Sequence, residues 1–338
     1  LVLDGTGLDQ SNSPTASAPI AVSVHSISKR FGRAQALDEI SVDILGSETF
    51  ALLGPNGAGK STLMGILCTI LQADSGTAKV LGFDARSQPL QLRRQLGVVF
   101  QEPSLDNRLT VEENLEFHGL LYDVPQTLRR QRITDLLAMV ELSDVRQRLV
   151  RTLSPGMRRR VEIARALVHD SRVLILDEPT VGLDAQSRDR IWEYLAEAKR
   201  QRDLTMIIST HYIEEVDACD RVCIVDHGKV LALDTPDALR DRHGHEIIRV
   251  RPRDAATETA ILSAYAGASK LRSGEIVIPS SGSSEAMIDA LLSHYGNSIR
   301  NLSFDRPSLE TVFLSLTGRD LRETKPGDHA SLARPLAR

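Results

Sequence analysis

Gly54-Pro55-Asn56-Gly57-Ala58-Gly59-Lys60-Ser61 is the stretch on which the reading of this 338-residue chain turns. Its spacing matches G-x-x-x-x-G-K-[ST], a loop in which each residue type has a physical task. Glycines reach positive φ and let main-chain N–H groups curl round an anion with no Cβ in the way. Lys60 adds a mobile positive charge for the outer phosphates, and the Ser61 hydroxyl suits Mg²⁺, a hard cation that prefers oxygen. Thr62 completes the set assigned to the nucleotide. Before the loop runs the apolar, strand-like Thr49-Phe50-Ala51-Leu52-Leu53; after it Leu63, Ile66, Leu67, Ile70 and Leu71 fall on one face of a helix. Strand, glycine loop and helix put a phosphate at a helix N-terminus, where free N–H groups and the dipole favour negative charge. The stretch reads as a nucleotide site.

The bulk composition narrows the class. A chain of 338 residues has material for two or three domains and an ample core. With 41% hydrophobic and 25% charged residues and a net charge of −4, its mildly acidic balance gives no support to a general nucleic-acid or anionic-membrane binder. The local run Arg158-Arg159-Arg160 reads as a solvated helix face. Cys68, Cys219 and Cys223 lack metal-ligand spacing and read as buried free thiols in a reducing compartment. No apolar run approaches the roughly 20 residues that span a bilayer. The N-terminal stretch around Asp4 and Asp9 lacks the apolar core of a secretory signal, so the expected location is the cytoplasm.

Along the chain, residues 1–19 are Ser/Pro/Thr-rich and read as disordered. Strand patterns follow at Ala21, Val22 and Val24, at Ile40, Val42 and Ile44, and at Leu96-Gly97-Val98-Val99-Phe100, closing on Gln101. Residues 102–160 change character: Thr110 and Glu113 form a capping box before Val111, Leu115 and His118, and Ile133, Leu136, Leu137 and Val140 make a second helical stripe. Alternation then resumes with Val173-Leu174-Ile175-Leu176, a helix over residues 191–199, and the strand from Thr205 to Thr210. Strands flank Asp226-His227-Gly228, and Thr235-Pro236 opens a short helix. This pattern predicts an α/β unit over residues 20–240, a mainly parallel sheet with a helical subdomain at about 102–160. A small α+β domain follows at 241–318, its last helix starting at Pro307-Ser308-Leu309-Glu310 and packing on that domain. Residues 319–338 read as a disordered tail.

Asp177-Glu178 closes the strand after Leu176, giving one acid for the Mg²⁺ shell and one to polarise an attacking water. Leu153-Ser154-Pro155-Gly156-Met157 then precedes Arg158 to Leu167, and Glu178-Pro179-Thr180-Val181-Gly182-Leu183-Asp184 follows. Together with Gln101, His211 and Phe31, in this order, the motifs resemble those of the ATP-binding cassette (ABC) ATPases. The resemblance covers about residues 21–239 and implies a P-loop ABC ATPase core that uses ATP and Mg²⁺. It implies that Glu178 is the catalytic glutamate, His211 the switch histidine and Lys60 the phosphate lysine. Ser61, Asp177 and Gln101 would serve the metal, and Phe31 would stack on adenine. Ser154, Gly156 and Asp184 would serve a nucleotide bound by the opposite protomer, so the chain would pair with a second copy or a homologous ATPase subunit.

Pro307-Ser308-Leu309-Glu310-Thr311-Val312-Phe313-Leu314-Ser315-Leu316-Thr317-Gly318 and the run from Gln101 to Leu115 resemble the daunorubicin-resistance branch of exporter ATPases. That resemblance implies a separate integral membrane permease exporting a drug, lipid or polysaccharide, with this chain peripheral on the inner face of the cell membrane. Two alternatives stay open: a soluble ABC ATPase acting on ribosomes or DNA, and a regulatory cassette paired with an active homologue. One cassette, no sustained heptads and no paired cysteines count against the first; intact Glu178 and His211 count against the second. Pro155 stands where the family pattern often has glycine, and Met157 where glutamine is frequent; proline offers a phosphate no N–H. Pro155→Gly is therefore expected to raise steady-state ATP turnover or ATP-driven dimerisation; a variant unchanged in both contradicts this reading.

Overall fold

The computed structural model describes residues 19–244, 246–271, 273–280 and 284–317. The segments expected to be disordered, 1–19 and 319–338, lie outside it apart from Pro19. The apolar runs Thr49–Leu53, Val173–Asp177 and Thr205–Thr210 are strands buried along their whole length. They sit inside a six-stranded sheet ordered Lys229–Asp234, Arg221–Asp226, Thr49–Leu53, Thr205–Thr210, Val173–Asp177, Leu96–Val99. Only the Lys229–Asp234 edge strand is antiparallel to its neighbour; the other pairings are parallel. Register places Leu53 beside Thr210 and Asp177 beside Ser209. The phosphate loop, the two acids and His211 therefore all emerge at the carboxyl ends of adjacent strands, where open parallel sheets form their ligand crevice.

An antiparallel sheet, ordered Ala34–Leu45, Ile20–Phe31, Ser75–Val80, Phe83–Asp84, covers one face. Its Val22, Val24, Ile40, Val42 and Ile44 share a core with Leu63, Ile66 and Leu67 of the Lys60–Leu67 helix. That helix is shorter than its apolar pattern predicts. Thr69 takes a left-handed φ of 60°, and the N–H groups of Ile70 and Leu71 both turn back to Gly65 O, at 2.9 and 3.0 Å. Ile70 is consequently 54% exposed instead of lying on the buried face.

The insertion holds helices Val111–Leu121, Gln126–Met139 and Pro155–Leu167. The capping box forms: Thr110 Oγ1 accepts from Glu113 N at 3.2 Å and Glu113 Oε2 from Thr110 N at 2.7 Å. The arginine run, however, is not a solvated face. Successive helical residues point about 100° apart, so one of three must turn inward, and Arg159 is 6% exposed. Cys68, Cys219 and Cys223 are buried without disulfides, and burial pushes each thiol up to about 12. Among the described residues no helix is long and apolar enough to cross a membrane.

Beyond this lies an antiparallel sheet ordered Ser269–Lys270, Ile276–Pro279, Ile247–Pro252, Ile299–Asp305. With helices Ala255–Ala264 and Ser284–Tyr295 it has the connectivity of a split βαβ, ferredoxin-like unit. The last helix, Leu309–Thr317, does not pack on that unit alone as expected. Leu309, Val312 and Phe313 are buried with Ala51, Leu53, Val216, Val222, Ile224 and Leu239 of the cassette. Leu314 instead joins Ile247, Leu271 and Val277 of the small sheet. The cause is a stripe at i, i+3, i+4 that packs on this sheet face beside Val216 of the short helix Ile213–Val216 and Leu239 of the helix Pro236–His243. Phe313 has no exposed surface, so Phe313→Ala is expected to cost about 3 kcal/mol. In thermal unfolding, the transition of the parallel-sheet unit should fall together with that of the small unit; an unmoved transition of the parallel-sheet unit contradicts the shared core.

Candidate active site

The phosphate loop is built on two left-handed glycines, Gly57 at φ 83° and Gly59 at φ 108°, with Gly59 capping the Lys60–Leu67 helix. A Cβ on Gly59 would stand 2.5 Å from Ala36 O, and one on Gly54 2.2 Å from Val225 O, so neither position admits a side chain. Between them Ala58 N–H closes on Pro55 O at 3.1 Å, leaving Asn56 and Gly57 exposed at the loop's crest. Thr62 follows Ser61, half-buried in the helix's first turn. Lys60 lies folded into the loop, 5% exposed, its Nζ donating to Gly54 O at 2.7 Å and Pro55 O at 3.1 Å. Burial pushes its pKa below the usual lysine value, although Glu178 and Asp177 pull the other way.

Asp177 and Glu178 are separated by their backbone, not by distance. Ser61 Oγ donates to Asp177 Oδ1 at 3.2 Å, and the fully buried Ser209 hydroxyl donates to the same oxygen. That Ser209 oxygen also accepts Glu178 N–H at 3.0 Å, while Ser209 O lies 3.2 Å from the same N–H. Glu178 is held at φ 48°, a strained conformation for a residue with a side chain. Its side chain is 7% exposed and faces donors from three segments. Gln101 Nε2 reaches Oε2 at 3.1 Å, His211 Nδ1 reaches Oε1 at 3.3 Å, and Lys60 Nζ lies 3.7 Å from Oε1. Burial alone would raise its pKa; the His211 hydrogen bond and the Lys60 charge outweigh it and hold the group below the usual carboxylate range. A buried, ionised carboxylate beside a phosphate loop can polarise a water. The Ser61 hydroxyl and the Asp177 carboxylate, in contact with each other, are hard oxygens of the kind that suits Mg²⁺, while the Gln101 amide nitrogen is turned to Glu178.

A second group sits at two helix starts. Ser154 caps the Pro155–Leu167 helix, its Oγ accepting from Met157 N at 3.2 Å, with Pro155 in the first turn. A Cβ on Gly156 would stand 3.1 Å from Ser187 Oγ. Ser187 N donates at 2.9 Å to Asp184, which caps the Ala185–Gln201 helix. Among the described residues, none of Ser154, Gly156 and Asp184 hydrogen-bonds to the phosphate loop. Phe31 ends its strand, half-buried, with Lys29 Nζ 5.6 Å from the ring centroid.

Sequence reasoning missed the residues that hold these groups in place. Ser209 is one. Glu215, 3% exposed, is another: its carboxylate takes the Thr180 hydroxyl just past Glu178 and, at 2.6 Å, the Thr210 hydroxyl just before His211. The available signal was Ser209-Thr210, a polar pair ending an apolar buried strand.

A profile of the ABC transporter family matches residues 37–181. The chain is 35% identical over 311 residues to the doxorubicin resistance ATP-binding protein DrrA of Mycobacterium tuberculosis, spanning 88% of this chain and 94% of that protein. It is 35% identical over 314 residues to the Nod factor export ATP-binding protein I of Ralstonia nicotianae, spanning 91% and 96%. A solved dimeric ATP-binding cassette in a post-hydrolysis state, bound to ADP and Pi, superposes with a TM-score of 0.58 at 26% identity, over 63% of this chain and 98% of that one.

Proposed function

Because the chain belongs to the ABC transporter family, among its ATP-binding subunits, we propose that it hydrolyses ATP to drive a separate membrane permease that exports a drug, lipid or polysaccharide. The observation that carries this reading is the convergence of Gln101, His211 and Lys60 on the buried carboxylate of Glu178, beside the phosphate loop. The N–H groups of the loop from Asn56 to the first turn of the helix, Ala58's apart, cradle the phosphates, and Lys60 exchanges its loop carbonyls for them. Phe31 stacks on the base. Ser61, Asp177 and Gln101 hold Mg²⁺, which when bound neutralises phosphate charge. Glu178 accepts a hydrogen bond from the attacking water, and His211 keeps its carboxylate in place.

Ser154, Gly156 and Asp184 then serve a second nucleotide on a partner protomer, a second copy or a homologue. Support comes from the likeness to a dimeric cassette. The permease docks on the Val111–Leu121 helix, downstream of Gln101, which leaves Phe117, Leu120 and Leu121 more than half exposed. On this reading the chain sits on the cytoplasmic face of the membrane through that permease, with residues 20–240 as the cassette and 241–318 as an appended domain. A net charge of −4 favours no nucleic-acid partner.

Glu178→Gln is expected to slow steady-state hydrolysis on the order of 10²–10⁴-fold, the scale of general-base loss, while nucleotide binding persists. Lys60→Ala should weaken nucleotide binding itself. Near wild-type turnover in Glu178→Gln would remove that residue from the chemistry.

A further inference from the structure

Arg159 and Glu162 stand one turn apart on the Pro155–Leu167 helix, their side chains 7% and 1% exposed. A buried ion pair is tolerated only where neighbouring polar atoms saturate it, and apolar residues in its place are often neutral or better for stability. Here the saturation comes from the main chain of one short segment, residues 100–104. Arg159 Nη1 donates to Phe100 O at 2.6 Å and to Glu162 Oε2 at 3.0 Å, and Nη2 donates to Gln101 O at 3.1 Å. Glu162 Oε1 accepts Ser104 N–H at 2.8 Å. Arg165, a further turn along, donates to Ser104 O at 2.7 Å. The segment lies outside any helix or strand, so these contacts stand where a hydrogen-bond ladder otherwise would. Within it sits Gln101, whose Nε2 reaches Glu178.

We propose that the Arg159–Glu162 pair is a positioning device for hydrolysis: it fastens residues 100–104 to the helix that begins at Ser154, so that Gln101 meets Glu178 only when that helix is in place. The inference rests on the reading of Glu178 as the hydrolytic carboxylate. A guanidinium fork is suited to gripping two successive carbonyls, which an ammonium cannot do in the same plane. Through this grip, movement of the Ser154 end against a partner's nucleotide reaches the chain's own Glu178 along one rigid helix.

The test is a double-mutant cycle of Arg159→Lys with Gln101→Ala, read in ATP hydrolysis, with hydrogen exchange of the 100–104 peptide measured alongside. Arg159→Lys should lower kcat about 10-fold with KM for ATP changed less than about twofold, the pattern of a misplaced catalytic group. In the Gln101→Ala background it should add nothing further, because the two act through one contact. Exchange at 100–104 should rise in Arg159→Lys while that of the Lys60–Leu67 helix does not. Additive losses in kcat, unchanged exchange at 100–104, or a lowered Tm with kcat per folded protein intact would each overturn the proposal. Should Arg159→Lys fail to fold, Glu162→Gln, which keeps an acceptor for Ser104, takes its place in the cycle. A wild-type chain that does not hydrolyse ATP even with its partner subunits would defeat the reading of Glu178 instead, and the exchange measurement would still decide whether the pair holds the segment.

Discussion

A carboxylate taken out of water must find partners or lose its charge, and Glu178 finds its partners in three separate parts of the chain. Lys60 comes from the phosphate loop, Gln101 from the entry to the helical insertion, and His211 from the end of the neighbouring strand. Each contact is possible only because the parallel register brings the strand ends level. Ser209 is the hinge of that arrangement: one hydroxyl joins the side chain of Asp177 to the main chain of Glu178. The strained φ of Glu178 is offset by these contacts, which fix its direction before any substrate arrives. In the proposed cycle, moving Lys60 from its loop carbonyls to a phosphate removes one of the three partners and leaves Glu178 to Gln101, His211 and water.

On the proposed reading, Ser154, Gly156 and Asp184 serve a partner's nucleotide, and the chain depends on that partner. One helix start carries the first two, another the third, and the close approach of Gly156 to Ser187 keeps the two starts together. Pro155 fits this arrangement without strain. It occupies the first helical turn, where its missing N–H has no intrahelical use and its fixed φ suits the helix. The fold of the cassette thus tolerates Pro155, and its consequence falls on phosphate binding. At the other end, Phe313 ties the appended unit into the cassette core through a face that the short Ile213–Val216 helix covers only in part.

Much of this was legible in the sequence because it is local. The phosphate loop is contiguous, the buried strands are apolar runs, and the Thr110–Glu113 capping box spans one turn. What was not legible depends on pairing across distance. The Ser209 contacts bridge residues 31 and 32 positions apart, and Arg159 grips carbonyls 58 and 59 positions away, neither of which a local pattern encodes. The early stop of the Lys60–Leu67 helix turns on one left-handed residue, Thr69, that is not a glycine and so carries no sequence flag. For the Leu309–Thr317 helix, periodicity defined an apolar stripe but not which surface receives it.

The central claim is that hydrolysis needs Lys60 and Glu178 of one protomer together with Ser154 and Gly156 of another. Mixing two variants tests it most directly: Lys60→Ala, with a damaged phosphate loop, and Gly156→Asp, with a damaged opposing face, each assayed alone and then together. Under conditions where the wild-type chain hydrolyses ATP by itself, the mixture should recover hydrolysis that neither variant shows. Each mixed dimer then contains one site whose two halves are both intact. A mixture as inactive as its components would contradict the composite site.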